Sequence, residues 1–178
     1  MIHIYLDTNI LYATRLLSLL FYLMEEDQKY YPHWSHFGLG ELKSIGRKNN
    51  KYNAAQLENE RIRQLWPDAK LSAKPSGNEH ILIPDQADNL ICHIAHQGGC
   101  SQILTYNIKD FHSSKLKKFD LKAIHPDKFL LNLLLSDEKH VEKIKSFESK
   151  ERLSDAFLIG FLDKIALPKY TAALKKRL

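Results

Sequence analysis

The chain has 178 residues, 44% hydrophobic and 26% charged, which is globular composition and excludes a disordered or low-complexity protein. Only two cysteines, Cys92 and Cys100, argue against a disulfide-stapled secreted fold and for a reducing cytoplasm. The net charge of +5 is unevenly placed: residues 1–138 hold 16 Lys/Arg against 16 Asp/Glu, and residues 139–178 hold ten against five.

Ile2 to Leu6 form a short β-rich run that ends at Asp7, the pattern of a strand opening into a helix. Thr8 or Asn9 is placed to cap that helix, which runs through the Leu-rich stretch to about Asp27. The apolar run from Ile10 to Met24 is too short to span a bilayer and is interrupted by Arg15. Its flanks, Asp7 before and Glu25-Glu26-Asp27 after, do not fit a signal peptide, so no membrane role is expected. The run is apolar nearly all round and predicts burial on more than one side.

Ser35 is a candidate cap for a helix through about Arg47, and a more polar helix is expected from about Ala54 to Trp66. Residues 71–78 read as loop, Ile81 to Ile83 as a strand, and Gln86 to Gln97 as a helix closed by Gly98-Gly99. Gln102 to Thr105 and Leu121 to Ile124 are further strands. Strands and helices spaced in this way predict an α/β fold with a parallel sheet and helices on both faces. From Pro126 onward only helical apolar spacing remains, so the chain divides into residues 1–125 and a small helical unit, 126–178.

The carboxylates carry the chemical signal. Asp7 ends a strand, Asp85 and Asp88 open a helix after a strand, and Asp110 follows the strand ending at Thr105. In a parallel sheet these positions share the edge formed by the strand C-termini. An Asp after a strand is most often a helix cap, but caps have no reason to converge on one edge. Clustered carboxylates repel, and the usual compensation is a hard divalent cation, Mg²⁺ or Mn²⁺. Cys92 and His96, one helical turn apart, could share a soft metal, but no second ligand pair accompanies them; a partly exposed histidine pair, His93 and His96, is the simpler reading.

The opening LDTNILYATR from Leu6 to Arg15, Trp34-Ser35 with Gly40-Glu41-Leu42, PDQAD from Pro84 to Asp88, and TYNIKDF from Thr105 to Phe111 resemble the PIN-domain nucleases. The nearest branch is the VapC-like toxins of bacterial toxin–antitoxin systems. HPDKFLLNLL from His125 to Leu134 and the C-terminal LDKIALPKYTAALKKRL resemble the helical extension some of them carry. The resemblance implies a PIN-like three-layer sandwich around a central parallel sheet. It makes Asp7, Glu41, Asp88 and Asp110 the catalytic acids. It assigns the metal to Asp7, Asp88, Asp110 and Asn107, leaving open whether Asn107, Asp110 or both reach it. Thr105 and Asn9 would orient these ligands, and Arg15 would approach them. The branch usually has a further acid at the position of Ala87 and Arg-His at Asn89-Leu90, and both are missing here.

The implied reaction is metal-assisted hydrolysis of RNA phosphodiesters, with no protein nucleophile. A non-catalytic RNA-binding or scaffold module on the same fold is the alternative, and the complete acid set weighs against it. An aspartyl phosphatase needs a second acid two residues after Asp7, where Asn9 stands. The resemblance implies RNA, a small antitoxin and a second copy of the chain as partners, and the over-apolar helix adds a physical reason to expect buried surface. Arg15, Lys109, Lys175, Lys176 and Arg177 are candidate RNA contacts. The central cluster of Lys109, Lys115, Lys117, Lys118 and Lys122 reads either as polyanion-binding or as a solvated surface. Asp7→Asn is expected to leave the fold intact or firmer, by relieving repulsion.

Overall fold

Strand β1 (Ile2–Leu6) lies at the centre of a five-stranded sheet of order β3-β2-β1-β4-β5, in which every pairing is parallel. Parallel strands covered on both faces read as continuous apolar runs, and Ile4, Tyr5 and Leu6 are fully buried. The structure is a computed structural model that describes residues 1–41, 60, 64, 66–72 and 85–178. The expected strand at Ile81 to Ile83, most of the helix from Ala54 to Trp66 and the end of the helix begun at Ser35 lie outside the described residues.

The expected helix from Thr8 to Asp27 is two helices, α1 (Thr8–Tyr12) and α2 (Thr14–Asp27), broken at Ala13. Asp7 caps α1, not Thr8 or Asn9: its side chain accepts from the Thr8 N–H. Helix α2 ends at Gln28, whose left-handed backbone turns its N–H back onto the Met24 carbonyl. Leu16, Leu17, Leu19, Leu20, Phe21, Leu23 and Met24 are all buried within the chain. The apolarity of this stretch is thus accounted for by the chain's own fold, and it supplies no independent argument for a second copy.

Strand β2 (Tyr30–Ser35) had no sequence expectation, and the two-residue β3 (Lys70–Leu71) takes Leu71 out of the stretch read as loop, because it pairs with β2. β3 pairs only with Trp34 and Ser35, so Pro32 sits where that side of the ladder is unpaired and its missing N–H costs nothing. Helix α3 (Gln86–Gln97) leads through Gly98 and the positive-φ Gly99 into β4 (Gln102–Leu104). A short helix, α4 (Ser113–Leu116), and flanking 3-10 turns connect β4 to β5 (Lys122–Ile124). β2 and β4 lie on opposite sides of β1, so right-handed crossovers place α2 and α3 on opposite faces. The reversal of strand order at β1 opens a crevice at the strand C-termini.

The chain falls into two compact units, Met1–Ile124 and His125–Leu178. The second holds α5 (Pro126–Ser136), α6 (His140–Glu151), α7 (Asp155–Lys164) and α8 (Pro168–Lys175). Within it Asp127, in the first turn of α5, accepts from the N–H groups of Lys169 (3.3 Å) and Tyr170 (2.8 Å) at the start of α8. One carboxylate therefore serves two helix N-termini, a favourable place for negative charge. At the other end Arg177 donates to the Leu134 carbonyl at 2.6 Å. These two contacts fix α5 and α8 side by side and parallel. We predict that Asp127→Ala lowers the stability of this unit by about 1–2 kcal/mol, the cost of a lost cap, read by hydrogen exchange at α8 amides; unchanged protection would show that packing alone holds α8.

Candidate active site

Leu6 pairs with Leu104, so Asp7 and Thr105 emerge side by side one residue beyond the sheet. The Asp7 N–H donates to the Leu104 carbonyl at 3.1 Å, and the carboxylate, only 5% exposed, collects three more bonds. Oδ1 accepts from the Thr8 N–H at 2.6 Å, and Oδ2 from the Thr105 hydroxyl at 2.6 Å and the Asn9 amide at 2.5 Å. Thr105 Oγ1 also accepts from Asn9 Nδ2 (3.1 Å) and the Asn107 N–H (2.9 Å), and Asn9 Oδ1 accepts from the Tyr106 N–H. Thr105 and Asn9 thus hold Asp7. Burial pushes the Asp7 carboxyl up, and the Thr105, Thr8 and Asn9 donors oppose that rise. Three of its roughly four lone-pair sites are filled, leaving about one for a ligand.

Glu41 arrives from a different direction. Ser35 Oγ accepts from the Gly38 N–H and caps the helical residues 36–41, as expected of it. The same hydroxyl bonds the buried Tyr5 hydroxyl at 2.7 Å, which seats that helix start on β1. Thr8 Oγ1 then donates to Glu41 Oε2 at 2.6 Å. Thr8 was invisible as a functional residue in the sequence, because a hydroxyl at a helix start reads as a cap.

At α3 the two acids divide their labour. Asp85 is the cap, accepting from the N–H groups of Ala87 and Asp88. That leaves the Asp88 carboxylate without a hydrogen bond of its own among the described residues. Its pKa is pushed up to about 6, first by partial burial and then by the charges of Asp7, Asp85, Asp110 and Glu41. Asp7, Thr8, Asn9, Glu41, Ala87, Asp88, Ile91 and Asn107 line one pocket of about 220 Å³.

Asp110 does not line this pocket. Its Oδ2 accepts from the Asn107 side-chain amide, so it holds the amide nitrogen and leaves the Asn107 carbonyl oxygen uncommitted among the described residues. Arg15 lies exposed at the start of α2, outside the pocket lining. Lys109 is exposed two residues beyond Asn107. In the second unit Lys175 is paired with Asp163 at 2.9 Å, the exposed Arg177 donates one bond to the Leu134 carbonyl, and Lys176 is exposed. Cys92 is fully buried, and burial pushes its thiol up to about 12; His96 Nδ1 meets the Phe119 carbonyl at 3.1 Å. His93 is buried against Phe119, so the histidines are not the partly exposed pair expected.

Among the described residues, no three His, Cys, Asp or Glu side chains come close enough to hold one ion directly. This donor set still suits Mg²⁺, which keeps several waters and takes one or two carboxylates together with substrate phosphates. Asp88 offers two unbonded oxygens, Asp7 about one, and Asn107 a neutral oxygen. The charges Asp88 feels from four other carboxylates are the physical reason for a cation there.

The bonding of Asp7 reverses the expectation for its amide variant, because an Asn side chain would turn an NH₂ onto donors. Asp7→Asn should destabilise the metal-free protein by about 1–3 kcal/mol, whereas Asp88→Asn should stabilise it by about 1 kcal/mol after solvent screening. Denaturant melts in EDTA measure both, and a gain for Asp7→Asn would contradict the hydrogen-bond geometry. The Asp88 effect has a pH signature. Because the folded carboxyl has a pKa of about 6 against the ordinary 3.8, its contribution to stability is full below about pH 4 and lost as pH rises through about 6. The advantage of Asp88→Asn over the parent at pH 7 should therefore vanish by pH 4. A pH-independent difference would assign the gain to another cause.

Residues 3–109 match the family model described as PIN domain. No curated protein and no solved structure matches the chain. Among the described residues, no helix is long and apolar enough to cross a membrane.

Proposed function

The chain belongs to the PIN-domain family, whose members are generally nucleases, and on that premise we propose that it is a Mg²⁺- or Mn²⁺-dependent endoribonuclease. The observation that carries the reading is the convergence of Asp7, Glu41, Asp88 and Asn107, from four separate segments, on one pocket where Asp88 feels the charge of every other acid. A scaffold needs no such concentration of like charge, and here it costs stability.

Asp7, Asp88 and the Asn107 carbonyl oxygen would hold the cation, with Asp110 as the residue that orients Asn107. When bound, the cation supplies charge to the scissile phosphate and acidifies the attacking water. Thr105, Asn9 and the Thr8 N–H keep Asp7 fixed, so little reorganisation is left for the reaction itself. Glu41 has Oε2 tied to Thr8 and, among the described residues, Oε1 uncommitted, which suits it to accept the proton of the water. Ala87 and Ile91 give the pocket an apolar wall. The acidic pocket also supports the VapC-like toxin reading, in which a small antitoxin covers it with an Arg or Lys.

Purified protein should cleave single-stranded RNA with Mg²⁺ or Mn²⁺ and lose all cleavage in EDTA. Glu41→Gln should slow cleavage about 10²–10⁴-fold, the range for a lost acid–base group, with the fold unchanged. Cleavage in EDTA at the full rate would exclude the metal mechanism.

A further inference from the structure

The connection from β4 to β5 carries Lys109, Lys115, Lys117 and Lys118, with Lys122 opening β5. All are exposed except the half-buried Lys115, and among the described residues no side chain of this set has an ion-pair or hydrogen-bond partner. The acids of this segment do not neutralise them: Asp110 is committed to Asn107, and Asp120 sits exposed in a left-handed turn. The second unit behaves differently despite its larger formal excess. Lys143 pairs with Asp137, Lys145 with Asp155 and Glu148, and Lys175 with Asp163. These pairs hold part of the second unit's positive charge internally.

The lysine segment is also rigidly seated. Phe111, Leu116 and Leu121 enter the core cluster that contains Ile91, Cys92 and Ile103, and Phe119 packs edge-on against His93 and His96 of α3. Buried anchors alternate with outward lysines. The segment begins next to Asn107 at the pocket edge, and at Lys122, paired with Gln102, it has returned to the opposite edge of the sheet. From the level of Asp88 to that of His96, α3 rises about 12 Å at 1.5 Å per residue. That length matches about three to four stacked nucleotides at roughly 3.4 Å each.

We propose that this connection is the phosphate-backbone track along which a single strand of RNA leaves the pocket, with Lys115, Lys117 and Lys118 as its principal contacts. The inference rests on the ribonuclease reading and adds where the strand lies. It moves the phosphate contacts away from the C-terminal basic residues, which the sequence favoured by count of charges alone. A pre-anchored row of unpaired cations neutralises phosphates and releases counterions without first breaking internal ion pairs.

The test measures affinity for a fluorescent single-stranded RNA at several salt concentrations, in an Asp88→Asn background that binds without cleaving. Lys115→Gln/Lys117→Gln/Lys118→Gln should weaken binding and lower the log–log salt slope by about 2, at roughly 0.7 for each lost single-strand contact. The corresponding Lys→Arg triple should keep the slope, which separates charge from folding. Lys143→Gln/Lys145→Gln should leave it unchanged. A parental slope in the glutamine triple, or an equal fall in the Lys143/Lys145 variant, overturns the track while leaving the ribonuclease reading in place. Absence of RNA binding by the Asp88→Asn parent overturns both.

Discussion

The arrangement depends on one buried carboxylate. Asp7 stands where β1 ends, and its oxygens are fixed by the first turn of α1 and by Thr105 at the end of β4. Residues 98 apart in the chain are thereby locked at the same height on the sheet edge. From that knot the other groups follow: the Asn107 backbone hangs from Thr105, and the Thr8 hydroxyl, placed by the cap at Asp7, reaches Glu41. A neutral residue at position 7 could end the strand but could not gather these donors. Burial of the charge is tolerated because nearly all of its hydrogen-bonding capacity is used.

The remaining acids follow a different rule. Asp85 takes over the capping of α3, so Asp88 is released from structural duty. Its carboxyl is the one left strained by its neighbours. Structural satisfaction at Asp7 and electrostatic frustration at Asp88 are complementary, since one fixes the geometry and the other leaves negative charge uncompensated. Asp110 belongs to the first category, because its contribution passes through the orientation of the Asn107 amide.

Much of this was legible in the sequence where local chemistry and burial agree. β1, β4, β5 and α3 are marked by apolar runs bounded by Asp, Thr and Gly, and Asp7, Asp88 and Asn107 emerge at their ends. The resemblance alone selected Glu41, since nothing local distinguishes it from a surface glutamate. β2 was missed because Tyr30–Ser35 contains Pro32 and polar residues, and its strand character comes from pairing with β1. The break at Ala13 was hidden because no Gly or Pro marks it between Thr8 and Asp27. A sequence does not reveal which lysines are already paired, so charge counting could not separate the Lys109–Lys122 cluster from Lys143, Lys145 and Lys175. Thr8 and Asp110 act through hydrogen bonds to partners whose positions only the fold defines.

The shared carboxylate of Asp127 has a consequence in time. Its two halves are separated by 43 residues, and Leu134 waits equally long for Arg177. At synthesis rates of roughly 5–20 residues per second, α5 emerges from the ribosome several seconds before the helix that its first turn is shaped to receive. During that interval Phe129, Leu130, Leu133 and Leu134, all buried in the finished unit, have no α8 to lie against. The nascent chain passes through a stage in which its nuclease-family half can already be folded while an apolar helix behind it is bare. It is at this stage, more than in the completed protein, that a chaperone would find something to hold.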